Sequence, residues 1–122
     1  MQQYMLLIHD PEGVWETLSE DEQKAAYEEY FALSRELQEQ GRYVSAHELQ
    51  PTTTAATIRV RDGETLVTDG PYAETKEALG GYYLIEADSL DEATAWAAKI
   101  PSARHGAVEV RPVVMREAEV GA

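Results

Sequence analysis

The sequence predicts an α+β protein: one antiparallel sheet with both of its helices on a single face. Three observations carry this. Two short runs, at 4–9 and 82–87, are apolar on both parities and read as buried strands. Two segments, Ser19 to Glu22 and Ser89 to Glu92, have capping-box spacing and open amphipathic stretches. Asp62-Gly63, set between alternating segments, is a strong hairpin signal.

Tyr4, Leu6 and Ile8 form one face of the first strand, and Met5, Leu7 and His9 the other. Asp10-Pro11-Glu12-Gly13 then reads as a turn-rich connection. The first helix starts after Ser19, repeats through Ala25, Ala26, Tyr30, Leu33 and Leu37, and stops at Gly41. Tyr43 to Leu49 is the next strand, ended by Gln50-Pro51, and alternation puts His47 on one face with Tyr43 and Ser45. Thr57 to Arg61 alternates strictly, predicting a strand with one wet face, and Glu64 to Thr68 returns as its hairpin partner. Asp69 to Glu77 is a polar loop. Gly80-Gly81 precedes the strand Tyr82 to Ala87, of which Tyr82 or Tyr83 must face the side without helices. A second helix places Leu90, Ala93, Trp96 and Ala97 on one face and closes at Pro101, and the last strand runs from Ala107 to Met115. A tail at about 116–122 is expected to fray.

Without the inserted hairpin at about 56–68, the order is βαββαβ, the ferredoxin-like arrangement. Two helices cover one face of such a sheet. Because 4–9 and 82–87 are apolar on both faces, the hairpin or a second copy of the chain must cover the other, and a twofold homodimer is the expected solution.

The 122 residues with 43% hydrophobic composition suit one domain spanning 1–122. Without cysteine there is no thiol nucleophile, disulfide or thiolate-bound metal. A net charge of −13, with basic residues scattered, argues against nucleic acid and anionic membrane surfaces as partners. No run approaches the roughly 20 apolar residues that cross a bilayer. The N-terminus lacks the features of a signal peptide, so a cytoplasmic location is expected.

Asp69 follows a strand end and precedes Gly70-Pro71; its carboxylate either braces its own turn or acts as a general base. His9 and His47 sit on strands, where packing or proton transfer are the two readings. Asp69 and His47 are the candidate catalytic pair. His9, Tyr72, Glu74, Lys76 and Tyr82 are candidate ligand contacts, with Glu74, Lys76 and Glu77 alternatively an ion-pair cluster. His105, in a loop, is expected to be solvated. The histidine spacing offers no metal site, and Gly80-Gly81 stands before a strand, the wrong context for a nucleotide.

Asp69-Gly70-Pro71-Tyr72-Ala73-Glu74-Thr75-Lys76-Glu77 resembles the signature of the DGPF branch of the YCII-related family, with Tyr72 where the branch usually has Phe. Thr57 to Gly63, Gly80 to Ile85 and Val108 to Pro112 are similar to the same branch, so the resemblance spans nearly the whole chain. It implies a dimeric α+β barrel. Ordinary members of the family carry a helix His that, with an Asp, is proposed as an acid/base dyad. The first helix here has no His, with Tyr30 near that position, and the dyad is not carried over. The expectation is a cofactor-independent enzyme moving protons on a small organic molecule; the alternative is a small-molecule-binding or regulatory module.

Overall fold

The computed structural model describes Met1 to Arg116, so all but the first residue of the expected tail lies outside the described residues. Strands β1 (Gln2–Pro11), β2 (Tyr43–Glu48), β5 (Glu77–Ala87) and β6 (Ala107–Pro112) form one antiparallel sheet in the order β2-β5-β1-β6. Strands β3 (Ala56–Arg61) and β4 (Glu64–Asp69) pair only with each other. The helices are α1 (Val14–Thr17), α2 (Glu20–Glu39) and α3 (Leu90–Ala97). None is long and apolar enough to cross a membrane.

Helix α2 begins and ends as its sequence dictates. Ser19 Oγ accepts from the Glu22 amide at 3.1 Å, and the Glu22 carboxylate accepts from the Ser19 amide at 3.0 Å. At the far end Gly41 takes φ 71°, letting its amide reach Gln38 and the Arg42 amide reach Leu37, a Schellman closure. Between these caps Leu33 and Leu37 are buried against the sheet. The cap of α3 is only half the predicted box. Ser89 Oγ accepts from the Glu92 amide, but the Glu92 carboxylate is drawn elsewhere: to the Asp88 amide at 2.8 Å, Trp96 Nε1 at 3.0 Å and Arg42 Nε at 2.7 Å. The Asp88 amide, then Trp96 and Arg42, hold this carboxyl below the usual glutamate range.

The core lies between the helices and one face of the sheet: Tyr4, Leu6 and Ile8 of β1, Tyr83, Ile85 and Ala87 of β5, Leu33 and Leu37, then Ala93, Trp96, Ala97 and Ile100. Two irregularities set which side chains join it. Along β2, Tyr43 lies opposite Ile85 but Ser45 opposite Leu84, so Val44 is an extra residue. A one-residue bulge reverses side-chain parity. Tyr43 therefore packs on the core, whereas His47, opposite Tyr82, faces away; the expectation that both share a face is corrected by that bulge. Along β5, Ile8 lies opposite Gly81 and His9 opposite Leu79, leaving Gly80 unmatched. The strand begins at Glu77, ahead of the two glycines, because β1 extends to Pro11 as its partner. At Gly81 a Cβ would stand 2.8 Å from the His47 carbonyl oxygen, so the β2–β5 approach needs glycine there. Tyr83 points into the core and Tyr82 out of it. Strand β6 stops at Pro112, short of the expected Met115.

The hairpin turn forms at Asp62 and Gly63, both with positive φ (51° and 78°). Its alternation is real: Ile58, Val60 and Val67 share one face, with Arg59 and Leu66 on the other. The expected dry face is nevertheless uncovered within the chain, since Ile58, Val60 and Val67 are 55%, 60% and 62% exposed.

Candidate functional site

The last core-facing position of β1 carries a carboxylate. Asp10 continues the parity of Tyr4, Leu6 and Ile8, and it ends beside the 3₁₀ segment Pro101–Arg104. Ser102 lies within this segment and His105 caps its end at φ −140°, and both reach Asp10. Ser102 Oγ donates to Asp10 Oδ2 at 2.9 Å, and His105 Nε2 lies 3.4 Å from Oδ1. Oδ1 is buried and accepts no hydrogen bond, which leaves His105 as its neighbouring donor. A proton on Nε2 would face this oxygen and would leave Nδ1 with a free lone pair. His105 is thus paired as well as solvent-accessible, where full solvation had been expected; its side chain is 56% exposed.

From the helix side Tyr30 completes the chain of hydroxyls. Its Oη lies 2.5 Å from Ser102 Oγ. Since the Ser102 hydrogen is directed to Asp10, Tyr30 is the donor of that pair. Burial outweighs the lowering effect of the Ser102 bond and, with a smaller push from the Asp10 carboxylate, raises the Tyr30 phenol above its ordinary value. Tyr83, also raised by burial, donates to the Tyr30 carbonyl at 3.2 Å and pairs with Ser34 Oγ at 2.9 Å. Both phenols stay protonated at neutral pH and serve as donors.

These groups border a cavity of about 500 Å³. Seven of the chain's ten Phe, Trp and Tyr residues line it: Trp15, Tyr27, Tyr30, Phe31, Tyr43, Tyr82 and Tyr83. Helix α1, absent from the sequence-based elements, follows Gly13 at φ 79° and brings Trp15 edge-on to Tyr27, with centroids 5.2 Å apart. Phe31 stacks on the other side of Tyr27 at 6.2 Å. Tyr27 Oη donates to the Glu48 carboxylate at 3.1 and 3.3 Å. An apolar, ring-lined hollow with a few converging polar groups is the usual form of a small-molecule site.

The residues put forward from sequence fall in three places. His47 and Tyr82 line the cavity and touch, with Nδ1 2.8 Å from Oη and ring centroids 5.6 Å apart. Glu74 and Lys76 border a separate open groove of about 610 Å³ with Glu12, Thr52 and Gly70. That groove is the larger, but no aromatic ring lines it and its charged side chains are exposed. Glu74, Lys76 and Glu77 make no ion pair among the described residues. Tyr72 is 81% exposed with the Arg59 guanidinium 5.5 Å over its ring, and His9 lies half-buried opposite Leu79 and Ala107. Asp69 ends β4 opposite Ala56, away from the cavity lining, and the structure does not bring it to His47. Asp10, Ser102, His105 and the Trp15–Tyr27–Phe31 wall were not singled out from sequence. The available signals were a carboxylate on the core parity of β1, and Ser and His three apart after Pro101. Among the described residues no three His, Asp or Glu side chains converge to hold a metal ion.

Comparison with known proteins supplies a family without supplying chemistry. An uncharacterised protein of Rhizobium meliloti (strain 1021) is 41% identical over 114 residues, covering 92% of each chain. The family model for the YCII-related domain matches residues 2–117. The chain belongs to the YCII-related domain family.

Proposed function

We propose that this protein is a cofactor-independent enzyme that moves a proton on a small organic molecule held in the ring-lined cavity, with His105 as the proton-transfer residue. The observation that carries this is the double engagement of Asp10, one oxygen facing His105 Nε2 and the other accepting from Ser102. A carboxylate fixed in this way orients the imidazole, leaving Nδ1 as base. Asp10 and Ser102 are positioning residues. Tyr30 supplies a protonated phenol that donates to Ser102 from the helix side. This assignment draws its acid/base groups from β1 and the end of the 3₁₀ segment, and not from the first helix, which has no His.

The test is deuterium exchange followed by proton NMR, using small carbonyl compounds with acidic α-C–H bonds incubated with the protein in heavy water. Accelerated exchange that depends on His105 supports the reading; exchange no faster than in buffer for every compound rejects it. A binding module without catalysis is the second reading, favoured by the exposure of His105, and it predicts retained ligands without exchange.

The chain's arrangement belongs, on this reading, to the ferredoxin-like class as a single domain, and its Asp69 to Glu77 loop to the DGPF branch. The strand order and the βαββαβ succession around the hairpin support the first. We also propose a homodimer. The sheet face bearing Met5, Leu7, Tyr82 and Leu84 is the one turned away from the core, and among the described residues the hairpin pairs with none of its strands. Asp69 enters as a residue that only a second copy would bring to His47. Light scattering at micromolar concentration is expected to return twice the 13.6 kDa chain mass; a monomer mass contradicts the dimer.

A further inference from the structure

We infer that the cavity selects an organic cation, a protonated amine on an apolar or aromatic body. The inference rests on the reading of this cavity as a small-molecule site. Among the described residues two carboxylates stand in its lining, Asp10 within and Glu48 beside Tyr27, and no Lys or Arg does. An anionic ligand would meet both carboxylates with only His47 and His105 to offset them.

The rings add to this preference. A π-face carries negative charge density, and an ammonium within about 6 Å of a ring centroid is attracted to it. Tyr27 is held by its bond to Glu48 and packed between Trp15 and Phe31. The result is an aromatic wall with a carboxylate at its edge, the combination that desolvates a cation while keeping it paired. The protein's net charge of −13 further enriches cations near its surface. Tyr30 and Tyr83, on the helix-covered face of the sheet, give the apolar body of such a ligand a surface to lie against.

The experiment compares three probes of one shape, 2-phenylethylammonium, 2-phenylethanol and phenylacetate, by calorimetric titration of the full chain. The ammonium is expected to bind at least tenfold tighter than phenylacetate, with the alcohol between them. Glu48→Gln, at the exposed rim, is expected to weaken the ammonium threefold to tenfold and leave the alcohol unchanged; Asp10→Asn is expected to do the same if it folds. Raising salt is expected to weaken the ammonium alone. Equal affinity for the three probes, or tightest binding of phenylacetate, overturns the cation preference and leaves the cavity reading standing. Binding by none of the three overturns both. Retention of the ammonium preference in Glu48→Gln and Asp10→Asn together removes the carboxylates as its cause and overturns the inference.

Discussion

His105→Gln is expected to slow proton exchange by about 10²–10⁴-fold, the share a positioned acid or base contributes, with almost no change in stability. The two effects separate because of where His105 sits. Its side chain is more than half exposed and among the described residues its side-chain partner is Asp10, and substitutions at such positions usually fall within about 0.5 kcal/mol. Asp10→Asn is the informative contrast. It removes the acceptor that orients His105 and weakens the bond from buried Ser102, so both the rate and the melting temperature fall. Proton NMR in heavy water reads the first effect and thermal denaturation the second. Wild-type exchange rates in His105→Gln would remove the imidazole from the chemistry.

Gly106→Ala is expected to destabilise the fold by about 3 kcal/mol, the upper part of the usual overpacking cost. A Cβ at this position would lie 2.1 Å from the His9 carbonyl oxygen and 3.2 Å from both Asp10 Cα and Asp10 Oδ1. The first two of these are backbone atoms of β1, a central strand that cannot swing aside as a side-chain tip would. Either β6 lifts from β1 or the turn carrying His105 retreats from Asp10. For a chain of this length that cost corresponds to a drop of about 10 °C in melting temperature. Thermal denaturation checks it: an unchanged midpoint would mean that this close approach is not maintained in solution. Gly106 is therefore part of the site's construction, since the contact that forbids a side chain is the same one that seats His105 beside Asp10.

What could be read from the sequence was local. The Ser19 and Glu22 box, the Gly41 stop and the Asp62-Gly63 turn each depend on residues a few positions apart, and each formed as expected. Facing was lost wherever pairing intervened. His47 changed sides because Val44 is unmatched against β5, a fact set by the register of two distant strands. The start of β5 was misplaced because Glu77, Ala78 and Leu79 owe their strand conformation to Pro11, Asp10 and His9. The candidate site was hardest to see, since Asp10 and Ser102 lie 92 positions apart and meet only when the 3₁₀ segment docks on β1. The Asp69 to Glu77 loop pointed to the family, but it lies outside the cavity lining where the proton-transfer groups gather.

The central claim is that the cavity beside Asp10, and not the 70–76 loop, receives the small molecule. Chemical-shift mapping of the labelled protein titrated with 2-phenylethanol tests it most directly. Saturable shifts at Tyr30, Ser102, His105 and the Trp15 indole are the predicted result. Shifts confined to Gly70 through Lys76, or none at saturating probe, would contradict it.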